Sequence, residues 1–171
     1  MLLLDSGIPA HGFEVAVPGD WAGAALRLVT DGVADARAAG VAYPTSPIGV
    51  RFVASGEQLL AMNARRHGVP GAPGEVREAS WWCFIEVPRL EGVREPEAIP
   101  AAVVARLRAA GVPYRLHWGQ ALAPWERDAE RAREDLRAAY PDLDRWRRAL
   151  EELGAHPVFR NPVRAALGVW G

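Results

Sequence analysis

The chain has no lysine: all 20 of its basic residues are arginine. This excludes a Schiff-base lysine and the lysine of a phosphate-binding P-loop. With abundant Ala, Gly and Pro beside it, the absence reads as coding bias. Cysteine occurs once, at Cys83, which excludes an internal disulfide and leaves nothing for a structural zinc site. Cys83 lies in an apolar run and reads as a buried thiol. No Ser-His-Asp order, HExxH, CxxC or carboxylate dyad stands out, and no metal site is expected. A net charge of -1 gives no electrostatic ground for nucleic acid or an anionic membrane as partner. Met1-Leu-Leu-Leu-Asp5 has too few apolar residues, and no basic flank, for a signal peptide or a membrane span. The expectation is therefore a cytoplasmic protein.

What is present fits one domain spanning residues 1–171, long enough for one good core. Gly12–Val17 alternates apolar and polar residues and reads as a strand ended by Pro18-Gly19. Asp20 is a plausible N-cap for an Ala-rich helix to Ala39, with Gly40 as its C′ residue. Ile48–Ala54 reads as a second strand, and Pro70–Gly74 as an irregular loop. Ser80–Val87 is the most hydrophobic strand, interrupted only by Glu86. Pro96 opens a helix carrying Ile99, Val103, Val104 and Leu107, closed by Gly111. A short strand, Tyr114–His117, follows. Pro124 starts a charged helix to Ala139, and Pro141-Asp142 starts another to Leu153, ended by Gly154. The order β-α-β-β-α-β-α-α, with uneven strand spacing, favours an α+β fold: an antiparallel sheet with helices packed on one face.

The most telling residues are Arg115-Leu-His117-Trp118-Gly119-Gln120, taken with Tyr140-Pro141 and Phe159-Arg-Asn161. In this pattern the chain resembles the C-terminal substrate domain of the FAD-linked D-arabinono-1,4-lactone and alditol oxidases. The match runs from Phe13 to Asn161, with gaps. Glu14-Val-Ala-Val-Pro18 is similar to the strand that begins that domain. Pro47-Ile-Gly49-Val-Arg51 matches a Pro-x-Glu-x-Arg strand, keeping the arginine and replacing the acid by Gly49. Phe84-Ile85-Glu86 stands where some members have a histidine. Gln120 replaces the lysine of the usual His-Trp-Gly-Lys. His156-Pro157-Val158-Phe159-Arg160-Asn161 is a shortened form of the family's ending.

The resemblance implies the cap-domain fold of vanillyl-alcohol-oxidase-type flavoproteins. It also implies half of an FAD-dependent oxidoreductase acting on a sugar lactone, polyol or related hydroxyl compound. Arg51 and His117 would be catalytic, with Arg51 holding an oxyanion or flavin edge and His117 a candidate base. Glu86, Trp118 and Gln120 would contact substrate, and Asn161 the cofactor. No Gly-rich phosphate loop follows a strand in this chain. FAD is therefore expected only through a partner chain, an FAD-binding subunit; self-association is the other way to cover the sheet face.

Each of these residues also has a plainer reading. His117 could be a turn histidine packed on Trp118, and Arg51 could pair with Glu86 across adjacent strands. Trp81 and Trp82 read as core, since only one of two successive strand residues can reach a pocket. His67 and His156 read as surface residues. The Arg145, Arg147 and Arg148 group beside Trp146 reads as a solvated helix face. Two further functions stay open: a flavin-free domain that binds a small molecule or acts as an isomerase or cyclase, and a degenerate interaction domain.

Overall fold

In a computed structural model, residues 10–41, 45–90, 95, 97–120 and 128–154 are described. The alternation at the start of the chain forms β1 (Ala10–Pro18), which a 3-10 turn over Gly19–Trp21 links to α1 (Ala22–Ala38). Asp20 therefore sits inside that turn, and Trp21 occupies the cap position without a side-chain hydrogen bond. The remaining strands are β2 (Gly49–Ala54), β3 (Arg66–Val69), β4 (Ala72–Glu78), β5 (Trp81–Leu90) and β6 (Arg115–Leu116). The remaining helices are α2 (Ala98–Ala109), α3 (Ala129–Ala139) and α4 (Leu143–Glu152). Gly40, Gly111 and Gly154 follow α1, α2 and α4 with φ of 68°, 64° and 61°. Each is a left-handed helix stop that glycine adopts without a Cβ penalty.

The main sheet has the order β2-β5-β1-β6 and is antiparallel throughout. The fold is α+β, as the spacing of the elements suggests. Strand alternation divides its side chains cleanly. Phe13, Val15 and Val17 of β1 join Cys83, Ile85 and Val87 of β5 in one cluster with Val29 of α1 and Val103 and Leu107 of α2. Cys83 is buried there as a free thiol. Ala16, Trp82 and Phe84 point to the opposite face, where Met62 and Ala79 cover them. Strand β2 is the margin of the sheet, and its Val50 and Phe52 are exposed. Trp82 is fully buried, whereas Trp81 stays partly exposed with its ring edge-on to Phe52 at 5.2 Å.

One hairpin was not legible. Pro70-Gly71 forms the turn of a separate two-stranded sheet, β3-β4, in which Pro73 and Gly74 belong to β4. A proline is tolerated because it lies where the register shifts and the ladder is already interrupted. His67 on β3 is also not a surface residue: it is 5 % exposed, with Nδ1 2.9 Å from the Gly68 carbonyl. Burial pushes its pKa down.

Arg115 ties these parts together. It is 0 % exposed and forms no salt bridge with a carboxylate among the described residues. Instead it donates to five backbone carbonyls, of Ala61, Met62, Ala64, Arg66 and Ala139, at 2.6 to 3.3 Å. Its guanidinium lies over the rings of Trp82 (4.1 Å) and Tyr140 (4.5 Å). Burial pushes its pKa down to about 10, so it is still a cation at neutral pH. Ala139 is the last residue of α3, where the helix dipole favours a cation.

Two outcomes follow for stability. Arg115→Met should cost about 3–5 kcal/mol in urea unfolding or prevent folding, because it strands several buried carbonyls. Arg115→Lys should be nearly as harmful, since one ammonium cannot span the fork. For His67, the folded pKa lies below the ordinary 6.5. The unfolded chain therefore takes up the proton first, and stability falls as pH drops below about 6.5, by at most about 1.4 kcal/mol per pH unit. Urea unfolding of His67→Phe at pH 7.5 and 5.5 should show a shallower acid loss than the parent.

Candidate functional site

The helix-free end of the sheet gathers five polar side chains from four segments. The register sets Glu14 of β1 directly opposite Glu86 of β5, and Gly49 of β2 on the other side of Glu86. Arg51, two residues along β2, is opposite Phe84 and lies over its ring at 4.8 Å. From there its Nη2 reaches past β5 to both carboxylate oxygens of Glu14, at 2.9 Å each. Glu14 is 2 % exposed, whereas the Arg51 side chain is 60 % exposed. Arg51 thus pairs with Glu14, two strands away, and not with the neighbouring Glu86.

The turn after β6 supplies the rest. The His117 backbone N–H donates to the Glu14 carbonyl (3.1 Å), which holds the turn against β1. Gly119 N–H donates to His117 Nδ1 (3.0 Å), so neutral His117 carries its own proton on Nε2. That nitrogen is 3.9 Å from Glu14 Oε2. Gln120 N–H closes the turn on the His117 carbonyl (3.2 Å), and its side chain Nε2 donates to Glu86 Oε1 (3.2 Å). The Gln120 amide lies over Gly12, where a Cβ would come within 2.7 Å of its Cδ. A side chain at residue 12 would therefore displace the Gln120 amide from this position. Trp118 is not brought into the group. Its Nε1 donates to the Leu60 carbonyl (3.1 Å) and its ring packs near Tyr140 at 5.6 Å. Asn161, His156 and the residues around them lie outside the described residues.

Burial dominates the Glu14 carboxyl and raises its pKa. Arg51 and His117 oppose the rise, while Glu86 adds to it. A buried carboxylate with one exposed cation and an N–H donor beside it can take up and return a proton. A Cβ at Gly49 would fit in ordinary contact, 3.7 Å from that of Glu86 and 3.9 Å from its Oε2. Glu14 was missed as a site residue because the alternation marks only its face, not the arginine two strands away. A cavity of about 890 Å³ lies elsewhere, beyond Trp82 and Arg115, and none of the five residues lines it. We place the chemistry at the cluster, since titratable groups converge there. Among the described residues no His/Cys/Asp/Glu group could hold a metal ion, and no helix is long and apolar enough to cross a membrane. No protein-family model matches the chain, and no curated protein matches it in sequence.

The Glu14 carboxyl should titrate above its ordinary 4.5 in a carbon-detected NMR titration, and Arg51→Met should move the midpoint higher still. Because the folded pKa is raised, the stability this group contributes is present below 4.5 and lost as pH rises through the folded midpoint. A midpoint at or below 4.5 would remove Glu14 from the site.

Proposed function

We propose that this chain is the substrate half of an FAD-dependent oxidase acting on a sugar lactone, polyol or related hydroxyl compound, with FAD held by another chain. The observation that carries the reading is convergence. Arg51, Glu86, His117 and Gln120 are singled out by the resemblance from positions spread over the sequence, and they meet around Glu14 at one end of the sheet. Such a site suits a neutral polyhydroxyl compound. Glu86 and Gln120 offer an acceptor and a donor for hydroxyl groups, and the exposed Arg51 offers further N–H donors. Glu14 is placed to take a hydroxyl proton, Arg51 to hold the oxygen that loses it, and His117 to donate through Nε2.

FAD would supply the acceptor for the hydride. The residues described here fit the hydroxyl end of that chemistry and not the dinucleotide. Asp20 precedes α1, Glu97 caps α2, Asp128 and Glu130 begin α3, and Asp142 and Asp144 begin α4. A carboxylate thus stands at or beside each of these helix starts, and at α3 Asp128 accepts the Arg131 N–H, which disfavours a pyrophosphate. That is the physical reason to look for a flavin-holding partner. A second reading, a flavin-free isomerase or cyclase, draws on Glu14 and His117, which can move protons without an electron acceptor.

Affinity purification of the tagged chain from its native cells, with a flavin absorbance spectrum of the eluate, tests the proposal. A yellow eluate containing a second polypeptide is the expected result. A colourless single band that ignores added FAD would overturn the oxidase reading. Thermal stabilisation by a sugar lactone, lost in Arg51→Ala and His117→Ala, would then mark the flavin-free alternative.

A further inference from the structure

The cavity of about 890 Å³ lies between the β3–β4 hairpin, the turn from α2 to β6, and α3, apart from the Glu14 cluster. Its size is that of small-molecule sites, and Val69, Pro73, Val112 and Pro113 contribute to its walls. The cations that line it are largely committed. Arg108 pairs with Asp135, whose carboxylate also accepts from the Tyr114 hydroxyl at 2.7 Å, and Arg131 pairs with Glu134 at 3.0 Å. Arg115 is enclosed by its five carbonyls. Apart from Arg137, a charged ligand would therefore find the lining arginines already paired or enclosed.

His67 is different. It lines the cavity, and its ring stands edge-on to Trp82 at 5.8 Å. Its Nδ1 is 2.9 Å from the Gly68 carbonyl, and a carbonyl can only accept, so Nδ1 holds the proton. Nε2 is left as a lone-pair acceptor, with no hydrogen-bond partner among the described residues. Burial keeps a second proton off the ring. A mostly buried acceptor among apolar and aromatic walls selects a flat apolar molecule that brings its own donor.

We propose that this cavity binds a neutral aromatic alcohol of the phenol class, its hydroxyl donated to His67 Nε2. The site does not depend on the reading of the Glu14 cluster. The test compares 2-naphthol with 2-methoxynaphthalene, the same apolar body without the donor, by NMR titration of the full chain. 2-Naphthol should saturate and bind about fivefold or more tightly than the ether. The 15N resonance of His67 Nε2 should move only with the naphthol. In His67→Phe the two ligands should bind alike. Equal binding of the two by the parent chain would overturn the proposal without recourse to a variant. So would absence of saturable binding, or a naphthol preference that survives His67→Phe.

Discussion

The fully buried cation Arg115 holds the side of the sheet opposite α1 and α2 in register. Its fork reaches the Ala61–Ala64 segment, the start of β3 and the end of α3, segments that share no strand ladder with one another. Each of those carbonyls would otherwise be a buried acceptor without a donor, so the arginine does work that a sheet ladder performs elsewhere. The rings of Trp82 and Tyr140 on the guanidinium replace the water that the charge gives up. The absence of lysine therefore has a structural counterpart. A point charge on a flexible stem could not supply this planar set of donors.

The candidate site depends on that arrangement at one remove. Arg115 and His117 flank Leu116 at the end of the sheet, with Leu116 turned into the helix-side core. Fixing Arg115 on the opposite face sets where the next turn emerges. The His117 N–H then bonds to the Glu14 carbonyl, and Gly119 fixes which imidazole nitrogen faces the carboxylate. Structural and chemical roles thus alternate along three consecutive residues, as the two faces of a strand require.

Much of this was legible in the sequence, and the physics of what was not is instructive. Apolar patterning placed β1, β2, β5 and α2, alanine content, proline starts and charge placed the other helices, and the stops at Gly40, Gly111 and Gly154 follow from a conformation that glycine alone adopts easily. The β3–β4 hairpin was hidden because Pro73 and Gly74 argue against a strand everywhere except at a bulged edge. His67 was misjudged for the same reason: beside a Pro-Gly loop, nothing local announces that Trp82 and Gly68 enclose it. The pairing of Arg51 with Glu14, in place of Glu86, depends on the order β2-β5-β1-β6, and strand order is a long-range property. Alternation tells which face a side chain takes but not which neighbour it meets there.

The contrast between Glu14 and Arg51 has one more consequence. The anion is locked on an interior strand, while its counter-charge projects from the sheet's margin. With Glu86 beside them, two acids share one arginine. A carboxylate arriving here would face both acids, and one guanidinium would have to answer three carboxylates. The cluster thus disfavours an anion at this end of the sheet.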